Sequence, residues 1–284
     1  ARCVEIAVFA LALAAWRFPD ENGDPLGVRA DMPAPQVACC GLKVAAKPED
    51  WMALVPDDAP NAAYLRQELR LLHASFAQAP LLGSLLDPAR TLKNDLATSS
   101  FETLRELLGR ALATERPATL WGQASELQDD SWDLALTAKG LLDAGRLLDA
   151  RYHHVITNVP FLNQSKYSTQ LKDHVYEYFD IAKENLASIF ALRMFDFLRD
   201  GGTMAFVAPQ SWWFLKRYIN FRHWLLKQKS TGYLVRLGDR AFEVQCGELV
   251  GLSFLENKAP ELSGFYRFLD ASEGRGPQDK AALL

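Results

Sequence analysis

Residues 152–161 read YHHVITNVPF and residues 201–209 read GGTMAFVAP. The first run carries β-branched Val155 and Ile156 and then breaks at Asn158-Val159-Pro160-Phe161, the pattern of a short strand running into a turn. The second is an apolar run of strand length behind two glycines. Between them, from about Lys183 to Leu198, Leu186, Phe190, Met194 and Phe197 recur at helical spacing, with Asp200-Gly201-Gly202 as the expected stop. Residues 211–229 read as a further helix, and YLVRLG (233–238) and LVGLSFLE (249–256) as two more strands. Strand, helix, strand, helix, strand implies an α/β fold on a parallel or mixed sheet. Ligands of such sheets sit beyond the carboxyl ends of the strands, where the 158–161 turn falls.

Upstream the pattern changes. Residues 50–150 are dominated by helical stripes: Tyr64, Leu65, Leu69 and Leu72, then Leu104, Leu107, Leu108 and Leu112, then Leu134, Leu141, Leu142, Leu147 and Leu148. From Phe18 to about Pro48 the chain is rich in Pro, Gly and Asp and reads as a long irregular connection. Ile6, Phe9, Ala10, Leu13 and Trp16 form an apolar stripe that Pro19 ends, so a buried helix is expected there. The expected organisation is a helix and connection over 1–48, a helical insertion over 49–150 and an α/β part over 151–284. The opening in mid-helix suggests a fragment of a longer protein. The first residues imitate a secretory signal, but they lack a basic leading segment, Glu5 interrupts the edge of the run, and the run is too short to span a bilayer.

With 284 residues, 49% hydrophobic and 23% charged, the chain can bury a proper core and is not disordered, collagen-like or repetitive. A net charge of −4 argues against a dedicated nucleic-acid binder, yet it hides an asymmetry. Residues 1–150 carry 14 basic and 21 acidic side chains, a net −7, whereas residues 151–284 carry 17 and 14, a net +3. Any polyanion is therefore expected at the second part. Cys3, Cys39, Cys40 and Cys246 lack metal-ligand spacing and are expected as free thiols in a reducing cytosol.

The chemistry open to the 158–161 turn follows from its acceptors. The Asn158 side-chain oxygen and the Val159 carbonyl could both accept hydrogen bonds from one amino group. Pro160 restricts Val159 to an extended conformation, which helps fix where that carbonyl points. Phe161 offers a flat face on which a planar ring can stack. Methylating an aryl amine needs this combination, because the lone pair of such a nitrogen is delocalised into its ring. Two acceptors on the amine hydrogens favour a pyramidal nitrogen whose lone pair can attack, and each preorganised dipole contributes on the order of a few kcal/mol. Stacking a flipped-out base supplies the alignment. No metal or strong base is required.

Asn158-Val159-Pro160-Phe161 is similar to the Asn-Pro-Pro-Tyr/Phe motif of the amino-methylating DNA methyltransferases. More of the chain resembles one branch of them: the large adenine-specific methyltransferases of BREX (phage-growth-limitation) defence systems, related to type IIG restriction–modification methylases. The matching stretches are IAVFALALAAWRFP (6–19), YHHVITNVPFLNQSKYSTQLKDH (152–174), DIAKENLASIFALRMFDFL (180–198), GGTMAFVAPQSWWFLKRY (201–218) and YLVRLGDRAFEVQCGELVGLSFLE (233–256). The resemblance implies a class I S-adenosylmethionine-dependent methyltransferase sheet, Rossmann-like, with a helical insertion and with the N-terminal part of the sheet missing. It implies S-adenosylmethionine as cofactor, double-stranded DNA with a flipped adenine as substrate, other defence proteins as possible partners, and a cytoplasmic, non-membrane location. Asn158 and the Val159 carbonyl would hold the adenine amine, Phe161 would stack on the base and Pro160 would shape the loop. Val159 departs from the Pro-Pro pattern but keeps the carbonyl. Asn185 stands in the helix where the family is expected to prefer Asp, which puts a polar role for it in doubt. No Asp-Pro-x-x-Gly-x-Gly pattern occurs, and Glu5, tempting as a ribose acid, falls by resemblance in the following helix. The cofactor loop is therefore expected upstream of Ala1 and the target-recognition domain beyond Leu284, leaving the fragment alone inactive. Two other functions fit the same tetrad: methylation of glutamine amides in proteins, and a catalytically dead module binding DNA or a defence partner.

The remaining residues have both a functional and a plainer reading. Residues 211–229 interleave Trp212, Trp213, Tyr218, Phe221 and Trp224 with Lys216, Arg217, Arg222, Lys227 and Lys229. An amphipathic helix with an aromatic core side explains this first, and contact with the DNA backbone through Lys216 and Arg217 second. Lys166, in the loop after Phe161, is the better phosphate candidate by position. His153 and His154 read as a strand-edge pair, Asp239-Arg240 as a turn-forming ion pair, and Gly201-Gly202 as a helix stop. Asp129, Asp130 and Asp133 read as a solvated helix start.

Overall fold

The computed structural model describes residues 2–29, 31–41, 44, 47–88, 126–243, 247–261 and 266–284. The chain divides into two compact units, Ala1–Asp149 and Ala150–Leu284.

In the first unit, α1 (Arg2–Arg17) is followed by an irregular stretch containing one antiparallel bridge, Pro19 to Pro25. Then come α2 (Pro48–Ala53), α3 (Ala62–Phe76), α4 (Ala79–Leu82) and α5 (Glu126–Asp149). Trp51 of α2, Leu65, Leu69, Leu72 and Phe76 of α3, and Leu141, Leu142 and Leu148 of α5 are buried. The α3 stripe is thus real but rotated from the expected one: Tyr64 faces solvent and Phe76 joins the inner face. The Leu104, Leu107, Leu108 and Leu112 stripe and Cys246 lie outside the described residues, as do the side chains of Asp129, Asp130, Asp133 and Leu134. The expectation of a buried α1 fails, since Ile6 is 67% and Phe9 63% exposed. Periodicity reports which side chains share a face, and says nothing of whether another surface meets that face.

The second unit is a five-stranded mixed sheet, so the α/β class expected from the sequence is the class observed. The strands are β1 (Tyr152–Asn158), β2 (Leu198–Pro209), β3 (Ser230–Gly238), β4 (Val250–Glu256) and β5 (Arg267–Asp270), in the spatial order β1-β2-β4-β3-β5. β1 pairs with β2 in parallel, and β3 with β5 likewise. The crossover from β2 to β3 skips one position, and β4 fills it antiparallel to both neighbours. The connections carry α6 (Thr169–Tyr178), α7 (Leu186–Asp196) and α8 (Ile219–Gln228), and α9 (Pro277–Ala282) closes the chain. Along β2, Met204, Phe206 and Ala208 are buried, and their register partners on β4, Leu255, Ser253 and Gly251, line the same face. The opposite face is more open, with Ile156 83% and Phe254 39% exposed.

Three local expectations are corrected. The helix between β1 and β2 starts at Leu186, not near Lys183, because Asn185 caps it; Asp180–Ala182 is a separate 3₁₀ turn. It is buried nearly all round, with Ala187, Ile189, Ala191, Met194 and Phe195 inside, so the expected face of Leu186, Phe190 and Phe197 is only half-buried. Residues 211–229 are not one helix. Gln210–Trp213 and Lys216–Tyr218 are 3₁₀ turns, and the α-helix begins only at Ile219.

Gly201-Gly202 is not a helix stop either, because the helix has ended at Asp196 and both glycines lie inside β2. Between the rungs Tyr152–Leu198 and His154–Thr203, β2 spends more residues than β1 and bulges. Gly201 takes a left-handed φ of 72°, and the bulge is held by Gly201 N–H donating to Asn257 O (2.9 Å) and Asn257 N–H to Gly202 O (2.8 Å). The Asn257 amide also donates to Leu198 O and Arg199 O, and its oxygen accepts from Lys229 Nζ. A Cβ on Gly202 would lie 3.0 Å from Arg199 O and 3.1 Å from both His153 O and Tyr152 O. All three are backbone atoms of paired strands and cannot move aside. Gly202→Ala is expected to cost about 1–3 kcal/mol, read as a lower melting temperature of the full chain.

Candidate active site

The sheet brings three loops to one edge: residues 159–168 after β1, 210–218 after β2, and, between β3 and β4, residues 239–243 and 247–249. Asn158 is the last rung of β1, paired with Val207 of β2. Its side chain is exposed and engages no partner among the described residues. Val159 turns inward and is 3% exposed, which seats the turn on the core. Pro160 faces solvent and Phe161 is half-buried. An amide and a carbonyl from consecutive residues, beside an aromatic ring, thus stand at the carboxyl edge of the sheet.

Beyond Phe161 the loop is fastened again. Leu186 N–H donates to Leu162 O (2.8 Å) and Gln164 N–H to Glu184 O (3.2 Å), which makes Asn163 and Asn185 an isolated antiparallel bridge. Asn185 is 5% exposed; its Oδ1 accepts from Ala187 N–H (2.9 Å), and its Nδ2 donates to Asn163 Oδ1 (3.2 Å). Asn185 therefore has a polar role, as helix cap and loop partner, because it precedes the helix rather than lying in it. A capping residue ahead of an apolar helical run is a readable sequence signal, and it was there to be found.

Tyr167 could not have been found that way. Its hydroxyl is buried with no hydrogen-bond partner among the described residues. Burial, with Tyr218 and Glu184 close by, holds its pKa well above the ordinary phenol value, so it stays a neutral donor. Tyr218, on the loop after β2, is thus within electrostatic reach of Tyr167 on the loop after β1. Lys166 and Arg217, the chain neighbours of Tyr167 and Tyr218, are exposed there with Lys216. The Arg217 guanidinium lies 5.2 Å from the centre of the Tyr218 ring, which is itself 2% exposed.

Of the rest of the stretch, Lys227 is exposed, whereas Arg222, Lys229 and the aromatic rings are structural. Arg222 Nη1 donates to Trp212 O (2.8 Å) and Leu215 O (2.7 Å), and Lys229 Nζ lies over the Phe195 and Trp224 rings. Trp212 stacks on Phe206 and meets Phe221 edge-on, while Trp213 packs against Phe268. His153 and His154 sit at the start of β1, away from the 158–161 turn, contacting Arg199 and Thr203. Asp239 and Arg240 form a loose exposed ion pair (3.9 Å) in a turn, with Arg240 at φ 52°. Glu5 lies in α1. Among the described residues no three His, Cys, Asp or Glu are grouped to hold a metal, and no helix is long and apolar enough to cross a membrane.

A nucleotide-like cofactor needs a glycine-rich turn between a strand end and a helix start. Gly274–Gly276, between β5 and α9, has that position but is already filled. A Cβ on Gly274 would meet Lys280 Cγ at 2.7 Å, and Lys280 Nζ donates to Leu237 O, Ala271 O and Ser272 O. The described residues offer no cradle there.

Residues 2–242 match the family described as Eco57I restriction-modification methylase. The adenine-specific methyltransferase BrxX of Escherichia coli O9:H4 (strain HS) is 34% identical over 121 residues, 43% of this chain; the matched part spans only 10% of that relative's length. Among solved structures, the type ISP restriction-modification enzyme LlaGI, in complex with a DNA substrate mimic, overlaps 78% of this chain and 25% of its own at 15% identity and a TM-score of 0.40. DrdV, in a DNA complex, overlaps 76% and 22% at 16% identity and a TM-score of 0.38.

An unpartnered buried hydroxyl costs stability. Tyr167→Phe is expected to leave the melting temperature unchanged or to raise it, by up to about 1 kcal/mol in stability. A lowered melting temperature would mean that the hydroxyl has a partner in the folded chain.

Proposed function

The chain belongs to the Eco57I restriction-modification methylase family, and from that premise we propose that its 151–284 part is the target-base half of an adenine-specific DNA methyltransferase. The observation that carries the proposal is the Asn158–Phe161 turn at the carboxyl edge of the sheet, with an exposed Asn158 amide, unpartnered among the described residues, beside the Val159 carbonyl. The Asn158 oxygen and the Val159 carbonyl each accept one hydrogen of the adenine amine. That draws the nitrogen out of conjugation and turns its lone pair toward a methyl donor. Phe161 stacks on the extruded base, and Pro160 holds the carbonyl in place. The family implies S-adenosylmethionine as donor, and no described residue is assigned to hold it. Lys166, Lys216 and Arg217 contact backbone phosphates of duplex DNA on the rim formed by the loops after β1 and β2. A restriction-modification or phage-defence role in the cytoplasm, alongside other defence proteins, fits this chemistry.

Labelled S-adenosylmethionine supplied to the full-length parent with unmodified duplex DNA should place label in adenine. Asn158→Ala should reduce it by about 10²–10³-fold, the usual effect of removing one preorganised dipole. Label in a protein glutamine instead, or full labelling by the variant, would overturn the assignment. Lys166→Ala and Arg217→Ala should weaken DNA binding evenly across sequences. Each should reduce the slope of log K against log salt by about 1; an unchanged slope would remove that residue from the interface.

A further inference from the structure

We propose that Asn185 and Asn163 form a staple that holds the Asn158–Phe161 turn in its working shape, so that Asn185 is a positioning residue for the amine-holding loop. The inference rests on the function proposed above. It starts from the length of chain left free. Asn158 is fixed by its rung to Val207, and Leu162 is fixed by Leu186 N–H at 2.8 Å. Only Val159, Pro160 and Phe161 lie between those anchors, and they supply the second acceptor and the ring. Pro160 locks its own φ and limits Val159. A three-residue span with both ends pinned has little freedom. With the far end released, the next ties are Gln164 Nε2 donating to Tyr176 Oη of α6 (2.8 Å) and the cap of α6 at Ser168, so the free run lengthens.

The asparagine pair is the side-chain half of that far anchor, and its polarity is determined. Ala187 N–H can only donate, so it takes Asn185 Oδ1 and leaves Asn185 Nδ2 facing Asn163. Asn163 must then present its oxygen. Asn163 also accepts Lys166 N–H on its backbone carbonyl (2.9 Å), so the staple fixes the turn that carries Lys166 as well. Asn185 is thus two things at once, a helix cap and a loop clamp, and the two can be separated by chemistry. Serine in its place can still cap α7 through its hydroxyl but cannot reach Asn163. Aspartate caps equally well and presents an acceptor to Asn163, whose amide can rotate half a turn and donate. Alanine does neither.

The test uses the full-length parent carrying Asn185→Ser, Asn185→Asp, Asn185→Ala, Asn163→Leu and the double variant Asn185→Asp/Asn163→Leu. Single-turnover methyl transfer to duplex DNA, the KM for DNA, the melting temperature and amide hydrogen exchange over residues 159–168 are measured for each. Asn185→Ser and Asn163→Leu should each lower the single-turnover rate about tenfold, the size of one side-chain hydrogen bond. KM for DNA should change little, and exchange at 159–168 should quicken. Asn185→Asp should recover most of the rate, and Asn163→Leu should abolish that recovery. Wild-type exchange and rate in Asn185→Ser would overturn the staple. So would an aspartate variant no better than serine, or rate losses that merely follow melting temperature across the set. Hydrogen exchange reads the staple whether or not the parent methylates DNA. A parent without methyl transfer would therefore sink the proposed function while leaving the staple to be judged on its own.

Discussion

The last rung of the parallel β1–β2 ladder, Asn158 against Val207, is the point from which the whole site is measured. A strand that stops there must hand its chain to something within a few residues, because backbone polar groups at a sheet edge need partners. Here it hands over to the start of α7. The turn between the two is too short to fold on itself, so what it displays is decided by its anchors. The same parallel pairing puts the end of β2 beside the end of β1, so the loops carrying Tyr167 and Tyr218 leave the sheet at the same end. Had β2 run antiparallel to β1, the basic 3₁₀ turn at Lys216–Tyr218 would lie at the other end of the sheet.

Buried polar groups in the second unit sort into two kinds. Lys280 is 2% exposed yet donates to Leu237 O, Ala271 O and Ser272 O, and so ties the ends of β3 and β5 to α9. Buried Asn185 and half-buried Asn257 likewise spend their amides on backbone and loop. These satisfied groups lock segments together, which is where a buried polar residue is most useful. Among the described residues, the Tyr167 hydroxyl and the Gln210 side-chain oxygen are buried without partners, as is Ser253 Oγ inside β4. The first two stand on the loops that leave β1 and β2 at the candidate site. Unpaired polar atoms are costly in a fold and are tolerated most readily where a ligand will arrive.

The sequence was legible where one residue type forces one local outcome. β-branched Val155 and Ile156 announced β1, and the turn after it stood out because Asn, Pro and Phe each have a distinct physical effect. The helix before β2 was half legible: its apolar run was plain, but its start was misplaced because the cap was taken for a helical residue. Gly201-Gly202 misled for a related reason. Two glycines end helices more often than they bulge strands, and only the partner carbonyls of Tyr152, His153 and Arg199 reveal the close approach. The aromatic run after β2 looked like one helix because Trp and Phe recur at roughly helical spacing. Yet Trp212 and Trp213 are turned in from a 3₁₀ turn onto the sheet face, over Phe206 and Gly251. Strand order was beyond reach, since nothing in the composition of β4 says that it fills the slot between β2 and β3.

Charge tells the same story at larger scale. Residues 151–284 carry a net +3, a weak signal for any polyanion. Folding sharpens it by taking some of those cations out of play: Arg222 is bound to the carbonyls of its own loop, Lys229 to Asn257, and Lys280 to three carbonyls under the sheet end. Exposed at the carboxyl end of the sheet are Lys166 on one loop, Lys216 and Arg217 on a second, and Arg240, loosely paired with Asp239, on the third. A mild average charge thus becomes a local one on either side of a single edge. The electrostatic pull on a polyanion depends on where unpaired charges stand, more than on how many the chain contains.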